Sequence, residues 1–192
     1  NYDTDVFQPT IGLIESLSGK RYGDSHMCDI AMRVIADHIR AVAFAVADGQ
    51  LPSNNKAGYV IRRILRRAVR YGYSYLGFQE PFLTRLVPLL AEQFGGVFPE
   101  LTAQADFVER VIGEEERSFL KTLEAGLKRL DLLMADLKSK GLSILDGESV
   151  FELSDTFGFP ADLTALILRE NQLQLDESGF EKALAAQKAR SR

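Results

Sequence analysis

The sequence has one cysteine, Cys28, no tryptophan and only two histidines among its 192 residues. A single cysteine excludes an internal disulfide and fits a reducing compartment, and we expect a cytoplasmic protein. No apolar run is long enough to cross a membrane, and the polar, acidic start NYDTDVFQPT is not a signal peptide. Because the first residue is not methionine, we also expect the chain to start inside a longer protein.

Patterns typical of the common catalytic and metal sites are missing too. The glycines form neither of the usual phosphate-binding loops, and two histidines give little support to a nucleophile–base pair. A metal site could be sought around His26, Cys28, Asp29 and His38. However, His26 and Cys28 are two residues apart, which points them apart on a helix, and no Cys-x-x-Cys is present. We therefore predict no catalytic residue and no metal site.

The composition is that of a globular protein, with 46% hydrophobic and 26% charged residues. Apolar residues recur at steps of three and four, which predicts helices over residues 6–17, 25–47, 58–71, 81–95, 102–138, 160–170 and 181–190. We predict an all-α fold, an irregular multi-helix bundle with one long helix. A short turn-rich and partly extended segment is expected near residues 142–160.

Two interruptions are expected within these helices. Pro88 should bend or break the helix over residues 81–95, because proline lacks the amide hydrogen of a helix interior. In the long helix, a buried stripe is predicted to include Phe107, Val111 and Phe119. The acidic run GEEE at residues 113–116 interrupts this stripe, so a kink or an exposed turn is expected there.

Positive charge is concentrated in the segment GYVIRRILRRAVRYG, although the chain has a net charge of -4. Arg62, Arg66 and Arg70 are four residues apart, as are Arg63 and Arg67, so all five lie on one face of a helix. Like charges at this spacing repel each other and need compensation. Carboxylates of the protein or phosphates of a nucleic acid could supply it, since guanidinium groups bind both.

Three tyrosines follow this helix, Tyr71, Tyr73 and Tyr75. Aromatic rings after a basic helix could stack on RNA bases, but they could equally pack in the core. The residues alone leave both interpretations open.

Several long motifs resemble one enzyme family. They are RVIADHIRAVAFAVADGQLPSNNKAGYVIRRILRRAVRYG at residues 33–72, DTFGFPADLT at 155–164, GFEKALAAQKARSR at 179–192 and NYDTDVFQP at the start. In this order they resemble the alanyl-tRNA synthetases through essentially the whole chain. These enzymes join alanine to tRNA with ATP in protein synthesis.

The resemblance implies a division of the chain and of its parent. Residues 1–20 would be the C-terminal remnant of the catalytic domain, and residues 21–192 the helical domain that binds the acceptor stem of alanine tRNA. The class II motifs that bind ATP with Mg²⁺ would precede the chain, and the editing domain with its Zn²⁺ would follow it. The resemblance thus implies no cofactor in this segment, no catalytic activity of it alone, and tRNA rather than DNA or a membrane as its partner.

The resemblance also assigns roles to residues. Asn54 and Asp155 fall on positions implicated in reading the G·U pair of the acceptor stem. The implied phosphate-binding residues are Arg62, Arg63, Arg66, Arg67, Arg70 and Lys56. The chain differs from many members at Lys56-Ala57, where they have Gly-Arg, and at Ser154, where they have tyrosine.

The chemistry of these roles is coherent. In a G·U pair the guanine 2-amino group lacks a pairing partner in the shallow minor groove of RNA, and a carboxylate is suited to accept from it. Asn54, with a donor and an acceptor, could contact the uracil side. Without the resemblance, both residues would be interpreted as turn or cap residues, and the basic helix as either a phosphate-binding or a solvated face. The alternative function is a helical protein–protein interaction module whose basic face meets an acidic partner.

Overall fold

The computed structural model describes residues 1–190, so Ser191 and Arg192 at the end of the last motif lie outside the described residues. Helices dominate this range, and the prediction of an all-α fold is confirmed. The chain divides into two compact units, the first covering Asn1–Leu120 and the second beginning at Lys121. One long helix contributes residues to both units.

The first unit is entirely helical. In chain order it contains α1 (Gln8–Ser18), α2 (His26–Ala47), α3 (Lys56–Tyr71), a π-helical turn (Gly72–Leu76), a 3-10 helix (Leu83–Leu86), α4 (Val87–Phe94), α5 (Pro99–Ala103) and the first part of α6 (Ala105–Ser139). The predicted interruption near Pro88 is present, but it precedes the proline. The 3-10 helix passes into α4 at Val87, and Pro88 lies in the first turn of α4, where no amide hydrogen is needed.

α2 lies at the centre of the first unit and packs against α1, α3, α4 and α5. Its buried face repeats at steps of three and four, and it consists of Ala31, Met32, Ile35, Ala36, Ile39, Val42, Ala43 and Val46. α1 contributes the fully buried Ile11 and Ile14 to the same core. It ends at Gly19, whose φ of 68° is a left-handed conformation that glycine adopts readily.

The long helix α6 runs without interruption from Ala105 to Ser139, so the kink or exposed turn predicted at residues 113–116 was wrong. Its buried stripe passes through Val108 and Ile112, and the predicted position of Phe107 within it was also wrong because that side chain is exposed. The stripe continues through two acidic residues, Glu115 and Glu116, which are buried. These carboxylates have partners in the first unit, which removes the physical reason for the helix to bend.

Glu116 shows how a carboxylate can occupy a core position. It accepts hydrogen bonds from the backbone amides of Phe82, at 3.0 Å, and Leu83, at 3.2 Å. These amides begin the 3-10 helix and have no earlier carbonyl to bind. Burial raises the pKa of the Glu116 carboxyl to about 7, although the two amide hydrogen bonds oppose that rise.

The second unit combines the end of α6 with three further helices and two short strands. In chain order these are β1 (Ile144–Leu145), α7 (Gly147–Phe157), α8 (Ala161–Glu170), β2 (Gln174–Leu175) and α9 (Glu177–Arg190). β1 and β2 pair in parallel, with Ile144 opposite Gln174 and Leu145 opposite Leu175. The extended piece predicted near residues 142–160 is therefore present, but most of that segment forms α7. The prediction that it is turn-rich was wrong, because residues 147–157 are helical.

α7 was missed because its capping signals were interpreted as turn residues. Asp146 is its N-cap, and its side chain accepts from the Ser149 amide at 2.8 Å. Gly158 ends the helix with a φ of 71°. Aspartate and glycine are common in turns, but here they mark the two ends of a helix: Asp146 and Gly147 at its start and Gly158 at its end.

The start of α7 lies directly against the start of α9. A Cβ atom on Gly147 would lie 2.0 Å from the carbonyl carbon of Gly179 and 2.1 Å from the amide nitrogen of Phe180. Only glycine permits this approach of two backbones. α9 begins at Glu177, four residues before the predicted start at residue 181, and Asp176 caps it by accepting from the Gly179 amide at 2.9 Å.

Within residues 1–190, none of the helices combines the length and the apolar character that a membrane span requires.

Candidate nucleic-acid interface

The five arginines of α3 lie on one face, as the spacing predicts, but they are largely packed against the protein. Arg70 is only 5% exposed, and the other four are half-buried. Their stems cover apolar surface while their guanidinium groups reach polar and aromatic neighbours. Most of the arginine side chains on this face therefore contact other side chains of the protein.

Glu115 on α6 supplies the main compensation. It accepts from Arg62 Nε at 2.7 Å and Nη2 at 3.1 Å, and from Arg66 Nε at 2.8 Å. Glu115 as a whole is 8% exposed, so these are charge-assisted bonds in a poorly hydrated site. Burial lowers the pKa of the Arg66 guanidinium, and the neighbouring Glu115 carboxylate opposes this. Of the two kinds of compensation left open by the sequence, carboxylates of the protein account for Arg62 and Arg66.

Aromatic rings support the arginine face. The guanidinium carbon of Arg66 lies 5.1 Å from the centre of the Phe119 ring, and that of Arg63 lies 5.7 Å from the Tyr59 ring. Both distances are typical of cation–π contacts.

Arg70 lies between Tyr71 and Tyr75, at 5.4 and 5.2 Å from the two ring centres. It also donates to the Tyr75 hydroxyl at 3.4 Å. Tyr71 is buried, and its ring lies 5.7 Å from the Tyr75 ring. Of the two interpretations left open by the sequence, packing within the protein describes Tyr71 and Tyr75 in this structure.

Arg67 occupies the centre of the face beside His38 of α2. Burial lowers the pKa of His38, the positive charge of Arg67 lowers it further, and a bond of 3.0 Å from Nδ1 to Asp37 opposes both effects. The Nε atom of Arg67 is buried and has no hydrogen-bond partner within residues 1–190. An unpaired charged donor is uncommon in a folded protein, and it leaves Arg67 with less compensation by hydrogen bonds than Arg62 and Arg66 receive from Glu115.

Asn54 and Lys56 are both exposed. Lys56 is the first residue of α3, and the loop before it carries Asn54. This loop is held by Ser53, whose amide donates to the carbonyl of Gly58 at 3.0 Å and whose hydroxyl donates to the carbonyl of Asn55 at the same distance. A Cβ atom on Gly58 would lie 2.4 Å from the carbonyl oxygen of Leu51, so glycine is required for this close approach. The Oδ1 atom of Asn54 accepts a hydrogen bond from Arg62 Nη1.

Asp155 belongs to the second unit and lies in the last turn of α7, so it is a helical residue and not part of an irregular turn. The side chain is exposed, and its Oδ1 atom accepts from Gln187 Nε2 of α9 at 3.2 Å. Within residues 1–190 its other oxygen, Oδ2, makes no hydrogen bond. Asp155 thus keeps an oriented carboxylate at the surface with one oxygen available.

The family described as tRNA synthetases class II (A) matches residues 1–192. The chain belongs to this family. Among its class II relatives are the alanine–tRNA ligases of Christiangramia forsetii, 61% identical, and of Cytophaga hutchinsonii and Porphyromonas gingivalis, each 59% identical. Each alignment covers the whole chain but only 22% of the relative. The resemblance to alanyl-tRNA synthetases is confirmed.

The sequence did not predict that Glu115 belongs to the arginine face of α3. A signal for it was present: residues 108, 112, 115, 119 and 123 continue one helical stripe, and a carboxylate in such a stripe needs a buried cation. The arginines that supply it are about fifty residues earlier, and only the fold brings them together. The candidate metal residues His26, Cys28, Asp29 and His38 form no cluster of three or more ligands, and neither do any others among residues 1–190.

Proposed function

We propose that the chain is the acceptor-stem-binding segment of an alanine–tRNA ligase. The observation that carries this proposal is identity of 59–61% over all 192 residues with proteins of that name. The whole enzyme would form alanyl-adenylate from alanine and ATP, then transfer alanine to the terminal ribose of tRNA in the cytoplasm.

We place the chemistry outside this chain. Residues 1–20 would complete a catalytic domain that binds ATP and Mg²⁺, residues 21–192 would bind tRNA, and an editing domain with Zn²⁺ would be covalently continuous with them. Coverage of only 22% of those ligases supports this division, because most of their length lies outside the matched segment.

The arginine face would bind the phosphates of the stem. The exposed Lys56 and the half-buried Arg67, which Glu115 does not pair, would make direct contacts. Arg63 would extend the same surface. Arg62, Arg66 and Arg70 would contribute charge to the field that attracts RNA while their partners hold them in place.

Asp155 and Asn54 would read the G·U pair. The Oδ2 atom of Asp155 could accept from the guanine 2-amino group, which has no pairing partner in that wobble. In the free protein, the hydrogen bond from Gln187 keeps the carboxylate oriented and so reduces the entropy lost on binding. Arginines would position the stem, and these two side chains would specify it.

The test compares the affinities of the 192-residue chain for acceptor-stem hairpins that carry G·U or G·C at the wobble position. A charge-assisted bond contributes roughly 1.5–3 kcal/mol, so Asp155→Ala should reduce the preference for G·U by about tenfold or more. Overall affinity for RNA should change much less, because the arginine face remains intact.

Glu148→Ala is the matched control, since Glu148 is exposed on the same helix. Asp146 is unsuitable because it caps α7. If Asp155→Ala kept the wild-type preference for G·U, the assignment of this residue would be withdrawn. If acidic proteins bound as well as RNA at the same salt concentration, a protein-interaction module would replace the whole proposal.

A further inference from the structure

Arg62 joins two residues that the sequence separates widely. Its Nε and Nη2 atoms donate to the two oxygens of Glu115 at 2.7 and 3.1 Å, and its Nη1 atom donates to Oδ1 of Asn54. The guanidinium group is planar and rigid, so binding one edge to Glu115 also sets the direction of the other edge. Arg66 holds Glu115 from a second direction at 2.8 Å.

This contact decides which way the Asn54 amide faces. A guanidinium group has donors only, so the amide atom turned toward Arg62 must be the oxygen. The amide nitrogen, Nδ2, then points away from Arg62 on an exposed side chain, and within residues 1–190 it makes no hydrogen bond. Asn54 therefore offers a donor to a ligand, although the residue type could offer either a donor or an acceptor.

We propose that Glu115 and Arg62 are positioning residues that set the Asn54 amide as a hydrogen-bond donor toward the RNA. The proposal rests on the proposed function and adds the polarity of the Asn54 contact and the residues responsible for it. Asn54 then recognises an acceptor atom of the base pair, while Asp155 recognises a donor. A base pair with a donor facing Asn54 and an acceptor facing Asp155 would form neither hydrogen bond and would bind more weakly.

The positioning has a physical benefit, because Asn54 lies in a loop and its side chain would otherwise sample several rotamers. Glu115 is buried, so its bonds to Arg62 are not weakened by bulk water. An oriented amide loses less entropy when it binds, and the amide cannot rotate to present its oxygen. The face of five arginines thus includes two members, Arg62 and Arg66, that organise a recognition residue.

The first test is a double-mutant cycle measured as the ratio of affinities for G·U and G·C hairpins. Arg62→Lys removes the planar fork, since one ammonium group cannot bind Glu115 and Asn54 in the same geometry. Arg62→Lys and Asn54→Ala should each lower the ratio by about threefold to tenfold, the range for one neutral hydrogen bond. The double variant should lower it no further than Asn54→Ala alone.

The ratio separates positioning from stability, because a loss of folded protein lowers both affinities equally and leaves the ratio unchanged. If Arg62→Lys lowered the ratio just as much in the Asn54→Ala background, the positioning role would be wrong while the reading of the base pair by Asn54 remained. If Asn54→Ala left the ratio unchanged, base reading by Asn54 would fail first, and the positioning proposal with it.

The second test addresses polarity. Asn54→Asp keeps an oxygen toward Arg62 but replaces the outward donor by an acceptor, so the preference for G·U should fall at least as far as in Asn54→Ala. Asn55→Asp introduces the same charge one residue away, at the N-cap of α3, and should keep the wild-type ratio. Wild-type preference in Asn54→Asp would contradict the donor assignment.

Discussion

Glu115 and Glu116 are neighbours on α6, yet their carboxylates bind different groups. Glu115 accepts from the side chains of Arg62 and Arg66, whereas Glu116 accepts from the backbone amides of Phe82 and Leu83. The first is a buried ion pair and the second a buried cap. At the residue scale, these two carboxylates connect α6 to the rest of the first unit, and each leads to a prediction.

Glu115→Ala should destabilise the chain by about 3 kcal/mol or more, because two half-buried guanidinium groups would lose their carboxylate. Unfolding in urea, followed by far-ultraviolet circular dichroism, measures this change. Glu114→Ala is the control, since Glu114 is exposed on the same turn, and it should stay within about 0.5 kcal/mol of wild type. Equal stability of the two variants would show that the ion pair contributes nothing beyond exposed charge.

Glu116 should make the stability depend on pH. The pKa of its carboxyl rises from the ordinary value of 4.5 to about 7 in the fold, so the folded state holds this proton more tightly than the unfolded chain. Its contribution is therefore complete below about pH 4.5 and is lost as the pH rises through about 7. At about 1.4 kcal/mol per unit, the loss is on the order of 3 kcal/mol.

The measurement is the free energy of unfolding at pH 4.5 and pH 8 for wild type and Glu116→Gln. Glutamine can still accept from one amide but has no charge to desolvate, so the decrease between the two pH values should be smaller in the variant. Glu114→Gln controls for the loss of one carboxylate and should retain the wild-type decrease. An unchanged decrease in Glu116→Gln would rule out this residue as the cause.

At the element scale, α3 has two faces with different tasks. Its apolar face, which includes Ile61, Leu65 and Ala68, is buried, while the arginine face combines pairing to Glu115 with cation–π contacts. A substitution that removes the charge of Arg62 or Arg66 also breaks its bond to Glu115, so an effect on RNA binding could not be separated from an effect on folding. Arg67 offers the cleaner probe of RNA binding, because its Nε atom lacks a protein partner within residues 1–190.

Arg67→Ala should weaken the binding of all acceptor stems to a similar degree. If Arg67 neutralises one phosphate, the slope of log affinity against log salt concentration should become shallower by about 0.9, the value known for duplex DNA. Arg21→Ala removes an exposed charge between α1 and α2 and should have a smaller effect. An unchanged slope in Arg67→Ala would argue against a phosphate contact at the centre of the arginine face.

The start of α7 gives a second prediction at this scale. Gly147→Ala should destabilise the second unit by about 1–3 kcal/mol, because the new methyl group would meet the backbone of Gly179 and Phe180 at about 2 Å. Thermal unfolding measures the effect. Gly12→Ala is the opposite control: it lies within α1 with no atom within 4 Å of the added carbon, so alanine should be neutral or stabilising there.

At the scale of the whole molecule, the chain should bind tRNA without activating alanine. The chain spans only 22% of the length of the alanine–tRNA ligases it matches, and the proposed function places the ATP and alanine sites outside it. We expect no alanine-dependent exchange between ATP and pyrophosphate from the 192-residue chain. The full alanine–tRNA ligase of Cytophaga hutchinsonii serves as the positive control under the same conditions. Exchange by the short chain would overturn the placement of the chemistry outside it.

The sequence by itself determined the helices whose apolar residues recur regularly. α2 was predicted within one residue of its bounds, and all five arginines of α3 were placed on one face, because both conclusions depend only on the local helical period. The family also followed from the sequence, since long motifs such as residues 33–72 are specific in their order. Local spacing and ordered motifs need no knowledge of which distant residues meet.

Only the tertiary structure decided what the charged residues do. The sequence pattern predicted a break at Glu115 and Glu116 because carboxylates are unfavourable in a buried stripe without partners. The partners, Arg62 with Arg66 and the amides of Phe82 and Leu83, lie more than thirty residues earlier, and the fold brings them to α6. Arg62 also donates to Oδ1 of Asn54, which directs the donor end of that amide outward, whereas the residue type alone leaves its direction open. Pairing between distant residues is decided by packing, which no local period encodes.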